Sequence, residues 1–219
     1  FRFLKWALSS RTEITVEGIK AGFKVQNDGG ARGWLKRYQS VVNAASSVPL
    51  SGLVEIHEAA IPYPFRLYEP ESYLEQAMIV SAIEIEFDVP SRIAMNTVDN
   101  VKAESLLAFI SRYVVKGSTI VTSGRRGYSS LSTHQYKHIN INQATCHSKY
   151  NEMWIQNSTN LTKDFVEWTI MFTKKNRALK GKLQELLKEY SVRYNNGQIV
   201  YDETILLELT LKRLFSNNG

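Results

Sequence analysis

The sequence is short of several residues and patterns that would decide its class at once. One cysteine, Cys146, among 219 residues excludes an internal disulfide and suits an intracellular setting. Prolines number five, and three of them (Pro62, Pro64, Pro70) punctuate one stretch, so the remainder is open to regular elements. No uninterrupted apolar run reaches the roughly 20 residues that cross a bilayer. No basic, apolar and small-residue succession opens the chain as a secretory signal would. The first residue is Phe1 and the opening segment is amphipathic, which suggests a piece of a longer polypeptide. Repeats and low-complexity tracts are missing, which excludes solenoid and fibrous classes. Asn157-Ser158-Thr159 and Asn160-Leu161-Thr162 match glycosylation acceptors, a triplet too common to assign anything.

What is present is an ordinary globular composition, 43% hydrophobic, enough for a real core. Net charge is +6 and its placement is uneven. Residues 1–50 carry 8 basic and 3 acidic side chains, residues 51–110 carry 3 and 10, and residues 111–219 carry 16 and 8. Two basic ends thus flank an acidic middle. A polyanion would be drawn to the ends, although an unevenly charged solvated surface has the same composition.

Residues 1–48 read as a helical region and residues 49–219 as the main domain, with the boundary in Ser46–Ser51. Thr15 is placed to cap a helix from Val16 to Lys24. Gln26–Gly30 breaks the pattern, and a third helix, about Ala31 to Ala45, directs Trp34, Leu35, Tyr38, Val41 and Val42 inward. Arg32, Lys36 and Arg37 lie on its other side. Helix, short polar turn and basic helix is the outline of a helix-turn-helix.

Strands follow: Gly52–Ile61, Gln76–Phe87 and Arg92–Val98, expected as an antiparallel meander. In the second, Ile83, Ile85 and Phe87 alternate with Glu84, Glu86 and Asp88, which predicts one wet face. An amphipathic helix over 102–115, with Asn100 as a possible cap, leads directly into a strand at Ser118–Thr122, which implies a crossover beside an earlier strand. The stretch from Val115 to Asn142 organises the rest. It reads as strand, Gly-bounded polar turn, short helical piece and a further strand, Lys137–Asn142. Nucleotidyl-transfer enzymes often carry a metal-binding carboxylate at such a strand tip; here the tip is Ser123. Beyond it, 146–162 reads as loop, 164–172 and 177–194 as helices, Asn195-Asn196-Gly197 as a turn, and 202–215 as a last helix.

This order is that of an α/β, ribonuclease-H-like mixed sheet flanked by helices. Several motifs in register also resemble the Merlin-type insertion-sequence DDE transposases. They are LSGLVEIHEAAI at Leu50–Ile61, GSTIVTSGRRGY at Gly117–Tyr128, QYKHININ at Gln135–Asn142 and SVRYN at Ser191–Asn195. The family patterns are approximately G-x-V-E-x-D-E, G-S-x-I-x-T-D-G-W-x-G-Y, G-Y-x-H, a T-N-x-x-E stretch and x-x-R-Y-N. The resemblance implies a site of three carboxylates. This chain has His57, Ser123 and, in the third slot after Thr159-Asn160, Lys163, with Asp164 and Glu167 nearby. Two-metal phosphoryl transfer needs carboxylates to hold the cations, and an ammonium repels them. The expectation is therefore a domesticated, catalytically inactive protein with no cofactor and no metal.

Each residue also has a plainer reading. His57 could ligate a soft metal with Glu58 or be a strand residue of a decayed site. Ser123 could be a nucleophile if His134 or His138 were brought to it, or simply a turn residue. Cys146-His147 lacks a second metal pair and reads as loop. Arg125, Arg126 and the run Lys174, Lys175, Arg177, Lys180 and Lys182 could contact a DNA backbone or merely be solvated. The expected partners are DNA, through these residues and the helix-turn-helix, and proteins, with a homodimer possible and no membrane. The expected setting is nuclear, in chromatin, telomere capping or genome defence. The rivals are a protein-interaction scaffold without DNA binding and a residual nuclease using Glu58, Asp99 or Asp164.

Overall fold

The computed structural model describes residues 2–10, 14–63, 75–123, 125–141, 161, 162, 164–166, 168, 169 and 182–199. The proposed third site position Lys163, the basic residues Lys174, Lys175, Arg177 and Lys180, the Cys146-His147 pair, Glu167 and the expected 202–215 helix lie outside them.

Three helices open the chain: α1 (Arg2–Ser9), α2 (Val16–Phe23) and α3 (Asp28–Ala45). Thr15 caps α2 as expected, its Oγ1 accepting from the Gly18 amide at 3.0 Å. The third helix starts earlier than the glycines suggest. Asn27 accepts from the Gly30 amide at 2.7 Å, so Gly29 and Gly30 lie inside the first turn instead of breaking it. A cap stabilises a helix start by about 1 kcal/mol, which offsets a glycine's penalty of similar size. The helices close on an aromatic cluster in which Phe3 lies 5.5 Å from Phe23 and 5.0 Å from Trp34, ring centre to ring centre.

The main domain is a five-stranded sheet in the order β3-β2-β1-β4-β5. Its strands are β1 (Leu53–Tyr63), β2 (Glu75–Glu86), β3 (Val89–Thr97), β4 (Thr119–Ser123) and β5 (Lys137–Ile141). The first three form the expected antiparallel meander. Helix α4 (Ala103–Tyr113) then crosses over to set β4 parallel to β1, and β5 parallel to β4. Asn100 stands just before α4, accepting from the Lys102 amide at 2.9 Å, while Lys102 holds the cap position. Two short 3-10 turns, Arg126–Tyr128 and Leu131–His134, replace the expected helical piece. No described helix is long and apolar enough to cross a membrane.

Both faces of the sheet are covered. One packs on α4 and the 3-10 turns through Val54, Ile56, Val80, Ala82, Phe109, Ile110, Ile120 and Tyr128. The other packs through Ile79, Ile83, Ile93 and Met95 on Leu161 and Phe165, which are helical, and on helix α5 (Leu183–Ile199). The wet face expected for β2 is therefore absent along most of the strand. Glu84 is 2% exposed, held by Arg92 through Nε at 2.8 Å and Nη2 at 2.6 Å, with the Ser51 amide donating at 2.6 Å. A paired buried carboxylate mimics the alternation of a solvated face. Phe87 is likewise not a strand residue. With Asp88 it forms a two-residue turn at positive φ (51 and 64) between paired Glu86 and Val89, the mirror-image turn geometry of tight hairpins.

The turn expected at Asn195-Asn196-Gly197 is also absent, because α5 runs through it. Asn195 leans onto β3, the last strand of the sheet. Its Oδ1 accepts from the Ile93 amide at 2.7 Å and its Nδ2 donates to the Ile93 carbonyl at 3.0 Å. Gln184, near the other end of α5, accepts from the Thr97 amide at 3.1 Å. The edge strand's peptide groups are thus bonded by helix side chains, and this tertiary gain outweighs local turn propensity. The opposite side of α5 meets the N-terminal helices. Val192 joins their core, and Arg193 binds Glu189, the Tyr38 hydroxyl and the carbonyls of Leu8 and Ser10.

Candidate functional site

The parallel pairing of β1 and β4 places Ile56 opposite Thr122. The next step along both strands brings His57 level with Ser123. Side chains alternate across a strand, so His57 shares its face with Glu55 and Ala59, and Ser123 shares that face with Val121. The third slot's neighbours, Leu161 and Phe165, are buried on this same face against Ile79 and Ile83. Lys163 itself is outside the described residues, but the chain segments around all three positions gather on one side of the sheet. His57 is half-buried. Burial pushes its imidazole below the usual histidine range; Glu58 opposes this and Arg125 reinforces it. It is a neutral group at physiological pH.

Glu58, the following residue, points the other way. Its side chain is 2% exposed, accepts from the Tyr128 hydroxyl at 2.5 Å, and is paired with Arg125 Nε. Burial, and then the Glu58 charge, drives the Tyr128 phenol far above its ordinary value, so it stays a donor. Arg125 is half-exposed and its backbone amide donates to the Ser123 carbonyl at 2.7 Å, which ties this ion pair to the tip of β4. Gly127 lets the turn sit here. A Cβ on it would meet Leu106 Cδ1 at 2.7 Å and the Val101 carbonyl at 2.8 Å.

Neither candidate base reaches Ser123. His138 on β5 lies 2.9 Å from Thr122 Oγ1, on the Glu58 side of the sheet, with its own pKa lowered by burial. The Thr122 hydroxyl donates to the Ser123 carbonyl at 3.0 Å, so His138 is the donor in their bond, through Nε2–H. His134 is exposed, with Nδ1 donating to the Ser130 carbonyl at 2.8 Å. The substitute ligands do not assemble either. Glu58 is on the opposite face and neutralised, while Asp99 and Asp164 are exposed on other elements. Among the described residues no three His, Cys, Asp or Glu side chains gather to hold a metal. An imidazole and a hydroxyl at adjacent registers do not fit a pair of hard divalent cations.

The basic candidates divide into two sets. Arg32, Lys36 and Arg37 are exposed on α3. Arg126 is exposed beside the site, and Arg125 is committed in part to Glu58. The Arg125–Glu58–Tyr128 network escaped sequence reasoning, because its members are 70 residues apart. The one available signal was Gly127 followed by Tyr128 at the start of a turn.

Sheet order 3-2-1-4-5, a site straddling β1 and the tip of β4, and helices on both faces define a transposase-like domain of ribonuclease-H-like architecture. Residues 49–196 match the ISXO2-like transposase domain, and the chain belongs to that family. No curated protein matches it.

Proposed function

We propose that this chain is a catalytically inactive, domesticated transposase of Merlin-type descent, retained to bind DNA in chromatin, telomere or other genome maintenance, and therefore nuclear. The observation that carries the reading is that His57, its pKa lowered by burial, stands level with Ser123 on the adjacent strand, at the two positions where the family resemblance expects aspartates. Exposed Arg32, Lys36 and Arg37 on α3, and Arg126 at the tip of β4, supply cations for phosphate contacts. Glu58, buried and bound to Arg125, speaks against a residual nuclease.

Filter binding of a DNA duplex tests the reading. Affinity should fall steeply with salt, the logarithmic slope being about −0.9 per phosphate neutralised. Arg32→Glu with Lys36→Glu should weaken binding of every sequence alike and flatten that slope. Strand nicking should be absent in Mg²⁺ and Mn²⁺. A chain without DNA affinity at low salt, or with metal-dependent nicking, defeats the proposal. In the first case the scaffold reading takes over.

A further inference from the structure

Helix α3 carries a polar row along one flank. Arg32, Lys36, Gln39 and Asn43 recur at steps of four, three and four residues, and all four are exposed. That spacing sets them on one stripe about 16 Å long. Ala31, Tyr38 and Val42 of the same helix are instead buried in the core of the N-terminal helices. The row has no apolar member, so it lacks the apolar centre of a protein-docking surface. The acid at its head, Asp28, is answered by Lys20, whose Nζ lies 2.6 Å from Oδ1.

The row does not stop at the end of the helix. Lys188 of α5 reaches across to it, Nζ donating to Asn43 Oδ1 at 3.1 Å in an exposed bond. The seam beside this bond is fixed by buried polar contacts. Glu189 accepts from the Tyr38 hydroxyl at 2.8 Å and from Arg193 Nη2 at 2.8 Å, and Nη2 also donates to that hydroxyl at 3.2 Å. Lys188 therefore holds a set place relative to Lys36 and Arg32, and the carboxylate next to it in sequence is already matched. Glu185, three residues earlier on α5, is exposed, and a phosphate would avoid it, so the cationic track ends at Lys188.

Resting on the DNA-binding reading above, we infer that Lys188 is a phosphate-contact residue. The α3 row follows the backbone of one strand of a duplex, and Lys188 takes it over across the α3–α5 seam. Arg32, Lys36 and Lys188 neutralise phosphates. The side-chain NH2 groups of Gln39 and Asn43 donate to phosphate oxygens between them, Asn43 Oδ1 being taken by Lys188. Such contacts position the duplex without reading its bases.

Filter binding of the whole chain to two duplexes of unrelated sequence, across a salt series, tests this. Lys188→Ala should weaken binding to both about eightfold at about 0.1 M salt and reduce the size of the logarithmic salt slope by about 0.9, the share of one phosphate. Lys188→Arg should keep the wild-type affinity and slope. Lys116→Ala is the control: it removes an exposed charge between α4 and β4, off the α3–α5 seam, and should move neither. The melting temperature of Lys188→Ala should stay at the wild-type value, since alanine suits a helix and the lost bond is exposed. A purely structural role would shift melting and leave the slope alone. An unchanged slope in Lys188→Ala, a loss confined to one duplex, or an equal loss in Lys116→Ala would each overturn the inference while the wild type still binds. A wild type without DNA affinity at low salt defeats the DNA-binding reading itself, and the inference falls with it.

Discussion

The Tyr128 hydroxyl donates to the Glu58 carboxylate at 2.5 Å, joining the turn after β4 to the middle of β1. That bond, with Arg125 as the countercharge, lets a buried carboxylate sit directly behind the site strand. Removing one partner leaves a buried acceptor without compensation, which costs more than the bond itself contributes. Tyr128→Phe should destabilise the protein by about 1–3 kcal/mol by urea denaturation. Glu58→Gln should recover part of the loss in the Tyr128→Phe background, because an amide is cheaper to bury than an ion. Equal losses in both backgrounds would mean that the two side chains are not coupled.

Asn195 gives a second prediction. Its amide closes the backbone of Ile93 on the edge strand. Asn195→Ala favours the helix locally but strands two peptide groups. It should therefore destabilise by about 1–2 kcal/mol, opposite in sign to helix propensity. Hydrogen exchange at the Ile93 amide should accelerate in the variant. An unchanged rate would show that the edge bond is not formed in solution.

That residue also marks where sequence reading stops. All five strands were legible from their apolar and β-branched runs, β3 with a later start than the structure gives it, and the crossover was legible because a helix leads straight into a strand. Asn-Asn-Gly reads as a turn until Ile93 is in place, and Glu84 reads as solvated until Arg92 folds back eight residues later. The motifs single out His57 and Ser123, and the parallel register that sets Ile56 opposite Thr122 brings the two level on adjacent strands. Glu58 was legible only as a carboxylate, since the face it takes follows from strand alternation and its partners follow from the turn after β4.

The histidines make stability depend on pH. Burial holds both His57 and His138 below the ordinary imidazole value, with Glu58 partly opposing it at His57 and Arg125 acting with it. The unfolded chain takes up these protons near pH ~6.5, the folded chain only at lower pH. In that window the unfolded state binds more protons, so stability rises with pH. The contribution is complete above about pH 6.5 and is lost as pH falls through the lowered values. The urea midpoint should therefore drop between about pH 7.5 and 5.5, and His57→Asn with His138→Asn should flatten the change. A midpoint that rises on acidification would contradict both depressed values.

Placing acids at these two positions tests the proposed loss of catalysis most directly. With His57→Asp and Ser123→Asp, two carboxylates would stand side by side on adjacent strands whose backbones lie about 4.8 Å apart. In chelator they repel, so the double variant should unfold at a lower temperature than the wild type. Magnesium bound only to the folded state adds stability by mass action, about 2.7 kcal/mol at a hundredfold excess over Kd. Millimolar Mg²⁺ should thus raise the melting temperature of the double variant and leave the wild type unmoved, because an imidazole and a hydroxyl offer a hard cation too little charge. Each single variant should respond less than the pair, since one carboxylate binds Mg²⁺ poorly without a second. A wild type stabilised as strongly as the double variant would mean that acids from elsewhere still hold the cation, and the loss of catalysis could not then be argued from His57 and Ser123.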